Sequence, residues 1–389
     1  MRRPLLLVLA LGAALVLAGC PQDSGTRRAT TTTTTRRAAT TTTTAPGQAP
    51  GEAPDPAPAP DDLPRAVLLG GAKLTSIALD SGRPTDIPNP RLENGLQVVG
   101  LLDRAFGAMV LVRGPLPQDA GAVYVLNDNE HLPRSLGTGV RAVAGGTTAE
   151  AWIANADAPE AVSEVRRVDL SRDVPPLVQS VVPGRTLAGF GAGGLIVTPV
   201  ERSGRIDVVE PVRGSTTRTL APNGSFLGAD GQRAVVLADA DCPVTCSVLV
   251  AGPAGDRTWP LPAGLQPEVS AAAVASGAVL FVARQEAATS RPAGTRGPRH
   301  LYVLDLTSGE VKDVQVDLPP ETGPPPMATD AQGRWAFTRI GPSELVGVRL
   351  ATAEPVRFPF ELEPWGAIAV TAGGACACGG GGGGGGPSV

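Results

Sequence analysis

The chain has 389 residues, a formal net charge of −4 and 42% hydrophobic residues. Nucleic-acid-binding domains usually carry an excess of positive charge, so this slightly negative net charge argues against a nucleic-acid-binding function. The chain has only two histidines, and no cysteine and histidine spacing typical of a zinc site occurs, so we expect neither a bound metal nor another cofactor.

The first 19 residues have the pattern of a signal peptide. Arg2 and Arg3 precede an apolar run from Leu5 to Val16, which is too short to cross a membrane as a helix. The next residues, Leu17-Ala-Gly-Cys20, resemble the lipobox of bacterial lipoproteins. The resemblance implies cleavage before Cys20, a diacylglycerol thioether on its sulfur, and a position at the extracytoplasmic face of the cell membrane. A buried thiol near the end of a spanning helix is the alternative.

Residues 20–64 predict a disordered tether. Threonine tracts at 30–35 and 40–44 are followed by a mixture of proline, alanine and acidic residues, which bury too little apolar surface to offset the ordering entropy. The threonines either carry O-linked sugars or form a bare solvated spacer. A folded domain is expected over residues 65–372, and residues 373–389 predict a disordered glycine-rich tail that includes Cys376 and Cys378.

The folded domain contains a repeat in which alternating apolar residues lead into a turn. The repeat is clearest from Leu301 to Gly309 and recurs from Leu74 to Gly82. Degenerate copies have their turns near residues 131, 173, 214, 255 and 353, spaced roughly 40 to 50 residues apart. Alternation with period two predicts strands, and this spacing is typical of propeller blades with four strands each.

A second repeat has a turn between two short apolar runs, as in 227–237, 274–281 and 328–337, and predicts the inner hairpin of each blade. The first copy has only three candidate strands, whereas the last is followed by an extra strand, Trp365 to Thr371. We predict that this strand completes the first blade, so that the ring closes without exposed edges. The expected fold is therefore an all-β, seven-bladed β-propeller, with six blades as the alternative count.

The segment from Tyr302 to Val311 resembles the YVTN type of propeller repeat. Turns such as Ala229-Asp230-Gly231 resemble those of the wider WD40-like bacterial propellers. The resemblance covers residues 66–372, although no single repeat matches a full consensus. It implies a binding surface or scaffold more often than an enzyme, and a shared fold does not choose between these roles.

Two cysteines four residues apart, Cys242 and Cys246, lie between the apolar runs 235–237 and 248–250. Outside the membrane, such a pair predicts a structural disulfide at a hairpin tip. A redox-active pair and a metal site are the alternatives, and a metal site would need two further ligands.

Three acids are candidates for a functional role at one mouth of the channel. Asp103, Asp230 and Asp330 lie at or near predicted inner-hairpin turns. Aspartate also forms turns by accepting hydrogen bonds from its own backbone, so turn formation is the competing interpretation. The two histidines, His131 and His300, fall near third strands and away from the axis, which argues against general-base catalysis.

One hairpin is lengthened by a basic insertion, whose cationic residues are Arg284, Arg291, Arg296, Arg299 and His300. The arginine side chain binds two oxygens of a carboxylate or phosphate at once. The insertion therefore predicts a partner-binding loop for an anionic envelope polymer or an acidic protein. A mobile solvated loop is the alternative.

These patterns together predict a membrane-anchored, extracytoplasmic propeller lipoprotein that binds an envelope protein or polymer without catalysis. The competing hypothesis is a propeller enzyme, such as a hydrolase, a lyase or a quinoprotein-like dehydrogenase, that uses acids at the channel mouth. The small apolar residues of inner strands such as 140–146 and 269–274 favour the binding module.

Overall fold

The computed structural model describes residues 62–371, apart from the segments 89–95, 105–106, 115–120, 127–132, 156–162, 172–176, 182–183, 202, 243–244, 286–296, 320–322, 342–343 and 360–364. The predicted signal peptide, Cys20, the tether up to residue 61 and the glycine-rich tail lie outside the described residues. In the part of the chain that the structure describes, no helix has the length and apolar character needed to cross a membrane.

The all-β prediction is confirmed, since the described residues form strands joined by turns. The strands are β1 (Ala66–Gly71), β2 (Leu74–Ala78), β3 (Arg83–Asp86), β4 (Gln97–Arg104), β5 (Gly107–Arg113), β6 (Gly121–Leu126), β7 (Arg134–Gly139), β8 (Arg141–Ala144), β9 (Glu150–Ala154), β10 (Ser163–Asp169), β11 (Val178–Val181), β12 (Arg185–Gly191), β13 (Gly194–Pro199), β14 (Ser203–Val209), β15 (Thr216–Ala229), β16 (Ala234–Leu237), β17 (Ser247–Ala251), β18 (Arg257–Pro260), β19 (Leu265–Val274), β20 (Ala278–Gln285), β21 (Arg299–Asp305), β22 (Val311–Leu318), β23 (Met327–Thr329), β24 (Trp335–Ile340), β25 (Glu344–Arg349), β26 (Glu354–Pro359) and β27 (Trp365–Thr371).

The strands form antiparallel sheets in which most neighbours are consecutive in the chain. Five sheets have four strands, in the orders β27-β1-β2-β3, β4-β5-β6-β7, β11-β10-β9-β8, β19-β20-β21-β22 and β23-β24-β25-β26. The sixth runs from β12 to β18, and its long strand β15 pairs with β14 mainly through its first half and with β16 through its second half. The C-terminal strand β27 pairs with β1, from Ala66 opposite Thr371 to Gly70 opposite Ala367, as the sequence predicts.

The first strands of successive strand groups contact one another in a closed circuit. β27 contacts β4, and the circuit continues through β8, β12, β15, β19 and β23 back to β27. Each hydrophobic cluster lies between two neighbouring groups. The cluster that closes the circuit joins Trp335 and Phe337 of β24 to Val67 of β1 and Ile77 of β2. Because the core is divided among these contacts, the first strands are held around a common axis.

Four of the predicted repeat turns have one conformation in common, whereas Gly255 has φ 100° and donates its N–H to the carbonyl of Gly252. Gly82, Gly214, Gly309 and Ala353 have φ between 62° and 78°, and each donates its N–H to the carbonyl four residues earlier. This left-handed geometry favours glycine, so Ala353 is the strained member of the set. In the Leu301–Gly309 copy, Asp305 accepts N–H groups of the turn at Ser308 and Thr307, and these hydrogen bonds lower the pKa of its carboxyl.

Candidate functional site

The first strands surround an axial cavity of about 540 Å³. Its wall is built largely from small or aliphatic side chains because these are the residue types that the inner strands supply. They include Leu101, Ala144, Ala229, Ala272, Val274, Ala369 and Val370. The polar lining residues are concentrated at the inner-hairpin turns, among them Thr148, Gln232, Ser276, Asp330 and Gln332. The cavity therefore has an apolar wall along the inner strands and polar residues at the inner-hairpin turns.

These turns form what we call the turn rim, which comprises residues 145–149, 192–193, 230–233, 275–277 and 330–334. In the turn at 230–233, Asp230 Oδ1 accepts the backbone N–H groups of Gln232 at 2.8 Å and Arg233 at 2.5 Å. Asp230 Oδ2 accepts a hydrogen bond of 3.2 Å from Arg233 Nη1. The carboxylate is thus bound by its own turn.

In the turn at 330–334, which is one residue longer, an aspartate carboxylate again accepts backbone N–H groups. Asp330 Oδ1 accepts the N–H groups of Arg334 at 2.7 Å and Trp335 at 2.8 Å, and Arg334 Nε lies 3.9 Å from Oδ2. Both aspartates line the cavity, as the sequence predicts, but each uses its carboxylate to form a turn. The side chain of Asp103 lies outside the described residues. The Arg partners at 233 and 334 are visible in the sequence as Asp-x-x-Arg and Asp-x-x-x-Arg, a signal that our prediction did not use.

Hydrogen bonds between turns join three of the five rim segments. The N–H of Gly231 bonds to the carbonyl of Phe190 at 3.0 Å, and the N–H of Ala192 bonds to the carbonyl of Gln232 at 2.8 Å. The side-chain amide of Gln232 also donates to the carbonyl of Gly146. Gly231, at φ 93°, approaches the carbonyl of Gly145 so closely that a Cβ would lie 2.2 Å from its oxygen. Three strand groups therefore share one connected set of turns.

Two arginines of the basic insertion, Arg284 and Arg299, lie within the described residues and contact each other's strand. Arg284 on β20 lies directly opposite Arg299 on β21, and such like charges repel. Glu268 on β19 lies between them: Arg299 donates to both of its oxygens, at 2.7 and 2.6 Å, and Arg284 Nε lies 3.1 Å away. We call these three residues the Glu268 cluster.

The arginines of the Glu268 cluster donate their remaining hydrogen bonds to backbone carbonyls of the same domain. Arg299 is 1% exposed and also donates to the carbonyls of Pro319 at 2.6 Å and Gly323 at 3.3 Å. Arg284 donates to the carbonyl of Gly297 at 3.2 Å. Both guanidinium groups, which were predicted to bind a partner, are therefore engaged inside the domain. Arg291 and Arg296 lie outside the described residues.

His300 is also held by neighbours on the same sheet. Its ring stacks on Tyr302 with 6.2 Å between centroids, and its two nitrogens lie 3.3 Å from Asp313 and 3.0 Å from Asp317. The residue lies on the third strand of its sheet, as predicted, away from the axial cavity. His131 lies outside the described residues.

Cys242 and Cys246 form the predicted disulfide, with 5.2 Å between their Cα atoms. It closes the connection between β16 and β17, and Cys246 is buried in the hydrophobic cluster between that sheet and β19–β22. The bridge is therefore part of the core. Among the described residues, no group of three or more histidine, cysteine or acidic side chains is arranged to hold a metal ion.

Comparison with solved structures identifies the fold. A structure from a study of two prolyl endopeptidases matches with a TM-score of 0.52 and 11% identity, over 78% of this chain and 47% of that one. This chain thus spans about half the length of that protein. Two matches have lower TM-scores. AztD from Citrobacter koseri has a TM-score of 0.42 and 10% identity, over 77% of this chain and 82% of that one. BamB from Moraxella catarrhalis has a TM-score of 0.41 and 14% identity, over 72% of this chain and 80% of that one.

These proteins are β-propellers, and the likeness to the prolyl endopeptidase shows that this domain has the β-propeller fold. At 11% identity the likeness concerns the fold alone. No protein-family model matches the sequence, and no curated protein is similar to it at a significant level.

Proposed function

We propose that residues 65–372 form a seven-bladed β-propeller that acts as a binding module and catalyses no reaction. The blade count is supported by five four-stranded sheets together with a seven-stranded sheet whose β15 serves two blades, as outer strand and then as inner strand. The hydrophobic clusters, each lying between two adjacent strand groups, support the same count.

The observation that carries the proposal is the turn rim. Two of its turns are closed by Asp230 and Asp330, and the segments 145–149, 192–193 and 230–233 are connected by the hydrogen bonds of Gly231, Ala192 and Gln232. A surface fixed before binding loses little conformational entropy when a partner docks, which is what a recognition surface requires. The two described acids at this mouth, Asp230 and Asp330, accept hydrogen bonds from their own turns, which favours binding over catalysis.

The location and partner are proposals from the sequence. Cys20 would hold the protein at the extracytoplasmic face of the membrane through its lipid, since two or more acyl chains give stable attachment. The tether of residues 21–64 would let the rim reach an envelope protein or an anionic polymer. Replacement Cys20→Ala is expected to move the protein from the membrane to the soluble fraction. Unchanged fractionation would contradict the anchor and leave the rim proposal intact.

The rim is tested by site-specific photo-crosslinking of the full-length protein in intact cells. One variant carries the crosslinker at Gln332, an exposed residue of the rim, and the matched control carries it at Thr85, an exposed residue of the outer strand β3. We expect a reproducible adduct from position 332 that is absent from position 85. Identical adducts from both positions, or none from position 332, would contradict a binding role for the rim.

A further inference from the structure

A second cavity, of about 230 Å³, lies beside the turn rim between the sheets β12–β18 and β19–β22. We call it the Trp259 pocket. Arg233 and Ser276 line both this pocket and the axial cavity, so the two openings adjoin. The other lining residues are Val250, Gly252, Pro253, Ala254, Gly255, Arg257, Trp259, Leu306 and Thr307.

The pocket has an excess of positive charge. Arg257 is exposed, and within the described residues its guanidinium forms no hydrogen bond or ion pair. Arg233 is balanced by Asp230 at 3.2 Å. The lining contains no aspartate or glutamate.

The acids nearest in sequence to these lining residues are bound elsewhere. Asp256 accepts two hydrogen bonds from Arg218 Nη1, at 2.9 and 2.8 Å. Asp305 accepts the N–H groups of Thr307 and Ser308, at 2.7 and 3.0 Å. Neither carboxylate is therefore available to neutralise Arg257.

One blade contact beside the pocket differs from two of its counterparts. At those two contacts a polar side chain of an outer strand meets the next repeat turn: Arg218 pairs with Asp256, and Lys312 donates to the carbonyl of Ala351 at 3.4 Å. At the corresponding contact, the indole of Trp259 lies against Gly309 instead. An aromatic ring offers the neighbouring arginines no negative charge, and it forms an apolar wall together with Val250, Pro253 and Leu306.

We propose that the Trp259 pocket binds a glutamate side chain of a partner protein, that is, a carboxylate on a short apolar stem. The guanidinium of Arg257 donates two hydrogen bonds to the planar carboxylate, and the apolar wall contacts the stem. Inorganic phosphate has no stem to use that wall. The inference adds a second contact to the proposed binding face, but its test needs no knowledge of the partner.

The indole of Trp259 provides the readout. Its Nε1 is buried and has no hydrogen-bond partner among the described residues, so its N–H resonance reports charge that enters the pocket. The ¹⁵N-labelled full-length protein has four tryptophans, and Trp259→Phe identifies the signal. Sodium propionate is titrated in, with sodium chloride at equal ionic strength and inorganic phosphate as parallel titrations.

We expect propionate to shift the Trp259 signal saturably and chloride to leave it in place. Arg257→Ala should weaken propionate binding by about tenfold or more, because a charge-assisted hydrogen-bonded contact is lost. Arg257→Lys should retain part of the affinity. Arg213→Ala, at an exposed arginine of another repeat turn, is the matched control and should change nothing.

Three results would overturn the inference: a Trp259 signal that does not respond to propionate, an equal response to chloride, or an affinity that Arg257→Ala leaves unchanged. A response to phosphate without one to propionate would overturn the carboxylate assignment. The other three indole signals show whether each variant remains folded. Since the titration uses a small molecule, failure here is separate from failure of the crosslinking experiment at the rim.

Discussion

The Glu268 cluster and the Trp259 pocket both contain two arginines and lie close together in the chain, yet their charges are balanced differently. In the cluster, one carboxylate and three backbone carbonyls accept hydrogen bonds from Arg284 and Arg299. In the pocket, Arg257 has no such acceptor among the described residues. The first region is complete within the domain, and the second has donors left for a ligand.

The difference shows that the number of arginines in a segment says little about binding. Whether an arginine can bind a partner depends on whether a carboxylate of the same domain already binds it. Glu268, on strand β19, binds both Arg284 and Arg299. Removal of one partner from a buried ion pair is strongly destabilising, whereas an exposed arginine without a partner is available for recognition. The two regions should therefore respond to mutation in opposite ways.

The largest effect is expected from Glu268→Ala. The substitution leaves two facing guanidinium groups without their shared carboxylate, and breaking a buried ion pair in this way costs about 3–5 kcal/mol. The free energy of unfolding from denaturant titration measures the loss. Glu344→Ala is the control, because it removes the more exposed ion pair with Arg357 at 2.8 Å and should cost no more than about 1 kcal/mol. Equal losses in the two variants would mean that the cluster is not a stabilising unit.

A smaller loss is expected from Gly309→Ala, which tests the wall of the pocket. Gly309 has φ 78°, and an added Cβ would lie 2.3 Å from Trp259 Cε3. We expect a destabilisation of about 2–4 kcal/mol, in part from the left-handed backbone and in part from the clash. Gly255→Ala shares the left-handed backbone, at φ 100°, but would meet no atom within 4 Å. If the two variants unfold at the same denaturant concentration, the indole does not pack as described.

Much of the fold could be predicted because its signals are local. The apolar run from Leu301 to Leu304 is a buried third strand, and the strand from Trp365 to Thr371 pairs with β1. The disulfide follows from two cysteines four residues apart. In each case, neighbouring residues determine a strand, a turn or a short closed loop, so one stretch of sequence is sufficient evidence.

The sites could be predicted only in part because they combine distant segments. Asp230 and Asp330 lie in turns that line the axial cavity, and each turn is formed by neighbouring residues that the sequence shows together. The binding of Arg299 to Glu268 joins residues 31 positions apart, and β19 itself contains a register shift with Ser270 at φ 57° that an alanine-rich run does not reveal. The Trp259 pocket collects Arg233, Arg257 and Leu306 from different strands and turns, so no motif marks it.

Asp207 and its neighbours Arg185, Arg205 and Thr219 form a third charged cluster, whose contribution to stability depends on pH. Burial alone would raise the pKa of this carboxyl, but hydrogen bonds from Thr219 and Arg205 and the charge of Arg185 outweigh it and hold the pKa below its usual value. The ionised form therefore stabilises the fold above about pH 4, and this contribution is lost as the pH falls through the lowered pKa. Asp207→Asn should cost about 1.5–3 kcal/mol at pH 7.

Denaturant titrations of the wild type and Asp207→Asn between pH 7 and pH 3 test this prediction. The difference in unfolding free energy should narrow as the pH falls below about 4, because the unfolded wild type takes up a proton at Asp207 more readily than the folded protein does. A difference that is constant across this range would contradict the lowered pKa and indicate that the hydrogen bonds alone stabilise the cluster.

The smallest effect on stability is expected at the open site, where it is the most informative. Arg257→Ala should change the free energy of unfolding by no more than about 0.5 kcal/mol, because an exposed arginine without a partner contributes little to the fold. Arg299→Ala, at the buried counterpart, should cost several times more, because it leaves Glu268 with only Arg284. Thermal and denaturant unfolding of both variants measures the contrast. If Arg257→Ala is as destabilising as Arg299→Ala, the guanidinium at the pocket stabilises the fold and is not available to a ligand. If Arg257→Ala leaves the free energy of unfolding unchanged, a loss of propionate binding in the same variant is due to the lost contact with the ligand.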